Sequence, residues 1–162
     1  MEAEYLQVVE KYSEGEKGDR ACDYLANAFG ALVNAMEETR ADIIGDLFQG
    51  GVTFGENGQF FTPEPITILM AQMQMSDKGG QRVLDPACGS GRTLLAVADV
   101  NRHNEFYGVD VDHRCVQMTA INLALRNLYG YVIHGNSLTQ EQWRAYRTGF
   151  NWSASLKLIH ML

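Results

Sequence analysis

The sequence has few basic residues, and this scarcity limits the partners that the chain can bind unaided. Its 162 residues include 13 lysines and arginines against 20 aspartates and glutamates, so the formal net charge at pH 7 is -7. Proteins that hold duplex nucleic acid draw much of their affinity from lysine and arginine, which displace counterions from phosphates. The composition therefore excludes a broad nucleic-acid surface, and any DNA contact must be local or supplied by a partner.

Long apolar runs and paired cysteines are also missing. No stretch approaches the roughly 18 to 20 apolar residues that a membrane helix requires, and the acidic segment 1–4 lacks the basic start of a signal peptide. Cys22, Cys88 and Cys115 are odd in number and far apart, with no spacing typical of a zinc site or a redox pair. We therefore expect a cytoplasmic protein with reduced thiols, no membrane segment and no metal.

The first 50 residues have the spacing of amphipathic helices. Apolar side chains recur at three- and four-residue intervals over residues 22–36, and a shorter apolar stretch covers residues 43–48. Glycine is concentrated in residues 50–59, which predicts a loop whose backbone can approach a ligand closely. We predict a helical region over residues 1–50 and a second domain over residues 51–162.

Strand-like and helix-like segments alternate in the second domain. Short apolar runs predict strands at residues 82–85, 105–110 and 131–134, separated by stretches with helical spacing. A fourth strand is predicted at residues 156–159. Because strands that alternate with helices form parallel sheets, we predict an α/β fold with a parallel sheet and helices on both faces.

A further helix is predicted near the end of the chain. Thr139 and Gln142 have the spacing of a capping box, in which each side chain satisfies a backbone N–H of the first turn. Such a helix would carry Trp143 and Tyr146 at helical spacing. Aromatic pairs of this kind more often pack in a core than stack on nucleobases, so we expect both rings to be buried.

The glycine-rich string over residues 85–91, Asp-Pro-Ala-Cys-Gly-Ser-Gly, carries the clearest chemistry. It lies between a predicted strand and a predicted helix, where Gly89 and Gly91 let the backbone turn sharply at a helix start. The string lacks the Lys-Ser/Thr ending of a P-loop and the glycine spacing of dinucleotide enzymes. Asp110 ends the next strand about 20 residues further on, where a carboxylate accepts hydrogen bonds from ribose hydroxyls. Together they indicate a ribose-bearing cofactor.

Four segments together resemble the cofactor-binding motifs of adenine-specific DNA methyltransferases, and especially the methylation subunits of type I restriction-modification systems. These segments are residues 60–63 (Phe-Phe-Thr-Pro), 85–91, 108–110 (Gly-Val-Asp) and 135–138 (Gly-Asn-Ser-Leu). The similarity covers residues 58–138, roughly half of the chain. It implies a Rossmann-like methyltransferase fold and S-adenosylmethionine as the cofactor.

The resemblance also implies a role for individual residues. Phe60, Thr62 and Pro63 would close over the methionine moiety from the loop before the sheet. The glycine-rich string would hold its amino and carboxyl groups through Asp85, Pro86 and the backbone of Ala87, Gly89 and Gly91. Asp110 would bind the ribose, and Val111 would pack near the adenine ring. Asn136 would approach the adenine amino group, because its amide oxygen can accept a hydrogen bond as the Asp common at this place does.

The catalytic motif of the resembling family is not found in this sequence. Family members transfer the methyl group with Asn-Pro-Pro-Tyr or Asn-Pro-Pro-Phe after the fourth strand, whereas Pro86 is the last proline here. We therefore predict no catalytic residue, a sheet truncated after about four strands, and an incomplete domain whose exposed sheet edge favours self-association. The chain alone is expected to bind the cofactor and to reach DNA only with a partner subunit.

Two other functions stay open. The first is a noncatalytic regulatory or interaction protein that keeps the fold, and it predicts cofactor binding without transfer to any substrate. The second is a methyltransferase that acts on a small molecule or a protein, for which the Asn-Pro-Pro motif would be unnecessary. This second function predicts methyl transfer in the absence of DNA.

Overall fold

The computed structural model describes residues 2–51, 61–74 and 80–150. The chain divides into two compact units, residues 1–43 and 44–162. The fourth strand predicted at residues 156–159 lies outside the described residues. The domain boundary proposed after residue 50 stays a prediction.

The first unit is built from two helices, α1 (Glu2–Lys11) and α2 (Ala21–Thr39). The start of α2 is fixed by Asp23, whose carboxylate accepts hydrogen bonds from the Arg20 guanidinium at 2.8 Å and from the N–H of Gly18 at 2.9 Å. These bonds hold the pKa of the Asp23 carboxyl well below its ordinary value. The helix ends where Arg40, with a left-handed φ of +56°, donates its N–H to the Met36 carbonyl.

The remaining elements alternate as the sequence predicts up to the third strand. None of the described helices combines the length and the apolar composition that a bilayer span needs. In chain order the elements are α3 (Ile43–Gly51), α4 (Glu64–Gln74), β1 (Arg82–Asp85), α5 (Arg92–Val100), β2 (Glu105–Asp110), α6 (His113–Leu125), β3 (Gly130–Asn136) and β4 (Glu141–Thr148).

The four strands form one sheet in the order β1-β2-β3-β4. The pairs β1/β2 and β2/β3 are parallel, which confirms the α/β class, whereas β3 and β4 are antiparallel. In the register, Asp85 lies opposite Gly108 and Asp110 lies opposite His134. The carboxyl ends of β1 and β2, which carry the two acids of the sequence motifs, therefore lie at the same edge of the sheet.

The predicted capping-box helix is wrong, because β4 covers its residues. The hydroxyl of Thr139 donates to the Glu141 carboxylate at 3.1 Å instead of capping a helix. The chain reverses through a tight turn in which Gln140 has a left-handed φ of +63°. Pairing with β3 then satisfies those backbone groups of residues 141–148 that face β3, and this strand pairing overrides the local capping pattern.

Helices α5 and α6 pack against one face of the sheet, and α4 packs against α5. Within the described part of the chain, helices cover this face alone, so the expected cover on both faces is not seen there. Alternate strand residues point to the opposite face, and among them the rings of Tyr107 and Tyr131 stack with centroids 5.9 Å apart. Leu84, which lies opposite Tyr107 and so belongs to the same face, is 61% exposed. The core of the covered face consists of Ala71, Cys88, Leu94, Leu95, Val97, Ala98, Phe106, Val116, Leu123, Leu128 and Val132.

Candidate functional site

A cavity of about 300 Å³ opens where β1 and β2 end. This volume is at the lower end of the range for small-molecule sites, and parallel α/β sheets bind ligands at the carboxyl ends of their strands. Its walls come from the segment before α4, from the bend between β1 and α5, and from the junction between β2 and α6. The lining residues are Phe61, Thr62, Asp85, Ala87, Cys88, Gly89, Ser90, Arg92, Thr93, Asp110, Val111 and Cys115.

The bend between β1 and α5 requires both of its glycines. Gly89 and Gly91 have left-handed φ angles of +55° and +88°, and the N–H of Gly91 donates to the Cys88 carbonyl at 2.7 Å. A Cβ at Gly89 would lie 3.0 Å from the Phe61 ring, and a Cβ at Gly91 would lie 2.9 Å from Cγ2 of Thr119. Both the backbone conformation and the available space therefore favour glycine at these two positions.

Asp110 ties the bend to the end of β2. One carboxylate oxygen, Oδ2, accepts the N–H of Gly89 at 2.9 Å, and the other, Oδ1, accepts the N–H of Asp112 at 2.8 Å. The N–H of Cys88 donates to the carbonyl of Val109 at 2.9 Å. A carboxylate offers about four lone-pair sites, so Asp110 retains capacity to accept from a ligand hydroxyl in the cavity.

The predicted backbone donors of the bend are engaged within the protein. The N–H of Ala87 donates to Oδ1 of Asp85 at 3.1 Å, in addition to the Gly89 and Gly91 bonds already described. Amides that are already satisfied are poor donors to a ligand. Side chains of the cavity wall, such as Thr93 and Arg92, are therefore the better candidates for contacts to a ligand carboxylate. The guanidinium of Arg92 also donates to Asp46 on α3 at 2.6 Å.

Two buried side chains of α6 hold the carbonyls of the bend. The hydroxyl of Thr119 donates to the Gly89 carbonyl at 2.8 Å, and the amide of Asn122 donates to the Ser90 carbonyl at 2.8 Å. Both side chains are fully buried. Because buried carbonyls are costly to leave unpaired, these two bonds fix the shape of the bend.

Two cysteine thiols line the cavity. Burial raises the pKa of Cys88 to about 12, against the opposing effect of the Thr119 hydroxyl that donates to its sulfur. Burial also raises the pKa of Cys115 to about 12, and the charge of Asp110 adds to this shift. Thiols with such pKa values stay protonated near neutral pH and are weak nucleophiles, so both act as wall residues.

The structure brings together part of the predicted set. The predicted residues that line the cavity are Thr62, Asp85, Ala87, Gly89, Asp110 and Val111. The predicted residues outside the lining are Pro63, Pro86, Gly91 and Asn136, and Phe60 lies outside the described residues. The lining residues that the sequence reading missed are Phe61, Cys88, Ser90, Arg92, Thr93 and Cys115.

Some of the missed residues lie next to a sequence motif, and others do not. Phe61 belongs to the Phe-Phe-Thr-Pro segment, and Arg92 and Thr93 directly follow the glycine-rich string, so position alone could have indicated them. Cys115 lies in the first turn of α6, shortly after Asp110, and belongs to no recognisable motif. Its place in the wall depends on how α6 packs beneath the bend.

Asn136 has a local role in the structure. Its Oδ1 accepts the N–H groups of Leu138 at 2.9 Å and of Thr139 at 3.3 Å, which closes the turn into β4. The amide oxygen predicted to meet an adenine amino group therefore already has two donors.

Comparison of the sequence with known proteins identifies its family. The model of the N-6 DNA methylase family matches residues 42–155. The type I restriction enzyme MpnII methylase subunit of Mycoplasma pneumoniae is 28% identical over 129 residues, which cover 70% of this chain and 24% of that protein. The MjaIX methylase subunit of Methanocaldococcus jannaschii is 29% identical over 133 residues, which cover 74% of this chain and 23% of that protein.

A type II relative shows similarity over a shorter stretch. The restriction enzyme and methyltransferase RM.BcgI of Heyndrickxia coagulans is 31% identical over 106 residues, which cover 54% of this chain and 16% of that protein. The chain thus spans about a quarter or less of the length of these relatives. A comparison with solved structures gave no significant match.

Proposed function

The chain belongs to the N-6 DNA methylase family, and from this premise we propose that it supplies the S-adenosylmethionine-binding part of an adenine DNA methyltransferase of the restriction-modification type. The observation that supports this proposal most strongly is the 2.9 Å bond between Asp110 and the N–H of Gly89. This bond joins the two motif residues at one cavity, at the sheet edge where α/β folds bind nucleosides.

The chemistry of the cavity wall fits the groups of the cofactor. Asp85 would hold the ammonium of the methionine moiety, and Arg92 with Thr93 would hold its carboxylate. Asp110 would accept from the ribose hydroxyls, and Val111, which is largely exposed at the cavity, would contact the adenine ring. When bound, S-adenosylmethionine supplies an activated methyl group, and the residues of this chain act by holding it.

Calorimetric titration with S-adenosylmethionine tests the proposal. The parent chain should bind one equivalent, and Asp110→Asn should bind roughly 10- to 150-fold more weakly, because it loses charged hydrogen bonds to the ribose. Asp99→Asn is the matched control, since Asp99 pairs with Arg126 on the surface and does not line the cavity. A parent chain that gives neither binding heat nor a thermal shift at saturating cofactor would sink the proposal.

Methyl transfer to DNA requires more than the residues of this sequence. Because Pro86 is the last proline, no Asn-Pro-Pro-aromatic motif is present to hold a target amino group. We infer that transfer depends on residues that this sequence does not contain, supplied either by the rest of a longer chain or by a partner subunit, since the matched regions cover only 24% and 23% of two relatives that are named as methylase subunits. Tritium transfer from labelled cofactor to adenine-containing DNA by the purified chain alone would contradict this inference. Transfer to a small molecule or protein would favour the non-DNA alternative.

Self-association is a further proposal. Among the described strands, β1 and β4 each pair on one side only, and such edges can pair with a second copy. Light scattering should therefore report an average mass above that of the monomer as concentration rises. A strict monomer at high concentration would count against pairing through the sheet edge.

A further inference from the structure

The antiparallel pair β3/β4 contains an irregularity next to the cavity. His134 lies opposite Arg144, whereas Gly135 lies opposite Gln142, so Trp143 is the extra residue of a bulge. A bulge sets two residues against one and redirects their side chains. A Cβ at Gly135 would overlap the carbonyl oxygen of Glu141, so this register needs glycine there.

The bulge brings Trp143 into a group of rings. Its indole meets the His134 ring edge-on, with centroids 4.7 Å apart, yet Trp143 remains 54% exposed. The His134 ring lies 5.1 Å from that of His113, whose Nε2 is 2.9 Å from the hydroxyl of Tyr146. We call these four residues the ring cluster. The expectation that Trp143 is buried on a helix is wrong, because it is a half-exposed strand residue.

The ring cluster adjoins the cavity without lining it. Nε2 of His134 lies 3.2 Å from the carbonyl oxygen of Val111, which is a residue of the cavity wall. None of the four rings belongs to that wall. A molecule that contacts the ring cluster can therefore lie beside a ligand in the cavity without replacing it.

The residue after Trp143 in the sequence, Arg144, carries a positive charge. The guanidinium of Arg144 lies 5.3 Å from the centroid of the Tyr146 ring, and among the residues that the structure describes no carboxylate forms an ion pair with it. Other arginines of this acidic chain do pair with carboxylates, namely Arg20, Arg82, Arg92, Arg114 and Arg126. Arg144 thus carries its positive charge at the Tyr146 ring of the same ring cluster, in a chain of net charge -7.

We propose that Trp143 and Arg144 form a contact for a DNA strand, with an unstacked base on the indole and a phosphate at the guanidinium. The proposal rests on the proposed function, since that function supplies DNA as the partner. Aromatic rings beside a cation are how proteins grip single strands, because every base has a face that stacks. Enzymes of this chemistry also open the duplex to reach their target, which exposes such bases. A contact of one base and one phosphate is local and weak, so it is compatible with the net negative charge. It departs from the expectation that the chain reaches DNA only with a partner subunit.

Intrinsic fluorescence tests the contact directly. In a Trp152→Phe background, Trp143 is the one remaining tryptophan, and a single-stranded oligonucleotide of about 12 residues at low salt should quench its emission to saturation. In the parent background, followed by fluorescence anisotropy of a labelled oligonucleotide, Trp143→Ala should weaken binding about 5- to 150-fold. Trp143→Phe should restore most of the affinity, because phenylalanine also stacks.

Arg144 has a matched control on its own strand. Arg147 is also exposed and, among the described residues, also lacks an ion pair, but it lies opposite Tyr131 and belongs to the other face of the sheet. Arg144→Gln should lower the affinity and reduce the slope of log K against log salt by about one. Arg147→Gln should change both quantities less. Equal effects of the two substitutions would show diffuse attraction and overturn the proposal.

Three other results would also overturn the inference. They are an absence of oligonucleotide binding by the parent chain, a loss of cofactor affinity in Trp143→Ala, and a change of oligomeric state in Trp143→Ala without any change in oligonucleotide binding. The second would assign the ring cluster to the cofactor, and the third would assign it to a protein contact. Failure of the proposed function can be distinguished from failure of this inference. In the first case the parent chain would not bind the cofactor in the titration but would still bind the oligonucleotide.

Discussion

Oδ2 of Asp110 and the backbone N–H of Gly89 are joined by a hydrogen bond of 2.9 Å. The acid at the end of β2 and the glycine of the bend therefore form one unit, although 21 positions separate them in the sequence. A bend held by a carboxylate before a ligand arrives loses less conformational freedom when the ligand binds. Substitutions at either residue should consequently affect both the shape of the bend and the affinity for a cofactor.

Gly89→Ala tests the space in the bend. Alanine at a left-handed φ costs about 1 to 2 kcal/mol, and its Cβ would meet the Phe61 ring at 3.0 Å. We expect a lower thermal midpoint and weaker binding of S-adenosylmethionine, because the Phe61 ring of the cavity wall must move. Gly18→Ala is the control, since Gly18 has a φ of +106° but no atom within 4 Å of the added Cβ. Equal cofactor affinity in Gly89→Ala and Gly18→Ala would refute the role of this close approach.

Local patterns predicted the bend and its acid, whereas the parts of the site that depend on packing could not be predicted. The string at residues 85–91 begins at the last residue of β1, and Asp110 is the last residue of β2, so their positions at one sheet edge follow from parallel pairing. Thr119 and Asn122 hold the bend from a helix about 30 positions later, and nothing in the sequence marks them as partners of its carbonyls. The capping pattern at Thr139 gave a wrong prediction because the residues that decide the structure of this segment lie in β3, outside the pattern.

Thr119→Val removes a support of the bend while keeping the shape of the side chain. The partly buried Gly89 carbonyl would lose its donor at 2.8 Å, and a fully buried acceptor without a partner costs about 1 to 3 kcal/mol, so we expect a loss toward the lower end of this range. Urea unfolding should show a lower midpoint with an unchanged slope. Thr119→Ser keeps the hydroxyl, so its unfolding midpoint should fall less than that of Thr119→Val. A valine variant as stable as the serine variant would mean that this bond contributes nothing.

The cysteines should differ in their reactivity toward iodoacetamide. Cys88 and Cys115 are buried and their pKa values are raised to about 12, whereas Cys22 is only half-buried. Because the thiolate is the reacting form, we expect Cys22 to be alkylated first at pH 8 and the other two only after unfolding. Mass spectrometry of peptides from native and urea-treated protein measures the order. Rapid alkylation of Cys88 in the native protein would contradict it.

The same two thiols should make stability fall at alkaline pH. Their ordinary pKa is 9.0, so the folded state, with values near 12, binds more protons than the unfolded state between these limits. The stability that the neutral thiols contribute is complete below about pH 9 and is lost as the pH rises toward 12. Urea unfolding at pH 8 and pH 10.5 should show this loss. The variant with Cys88→Ser and Cys115→Ser should decline less steeply, and an equal decline would assign the effect to other groups.

Asn136 offers a test that separates a structural role from a role in cofactor binding. Its Oδ1 accepts two N–H groups of the turn that leads into β4, so Asn136→Ala should cost about 1 to 2 kcal/mol. Hydrogen exchange should then be faster at the amides of residues 141–148. Asn136→Asp keeps both acceptor bonds, and we expect native exchange rates and cofactor affinity in that variant. Unchanged exchange in Asn136→Ala, together with a loss of cofactor affinity, would instead show that the Asn136 side chain serves the cofactor and that the turn does not depend on it.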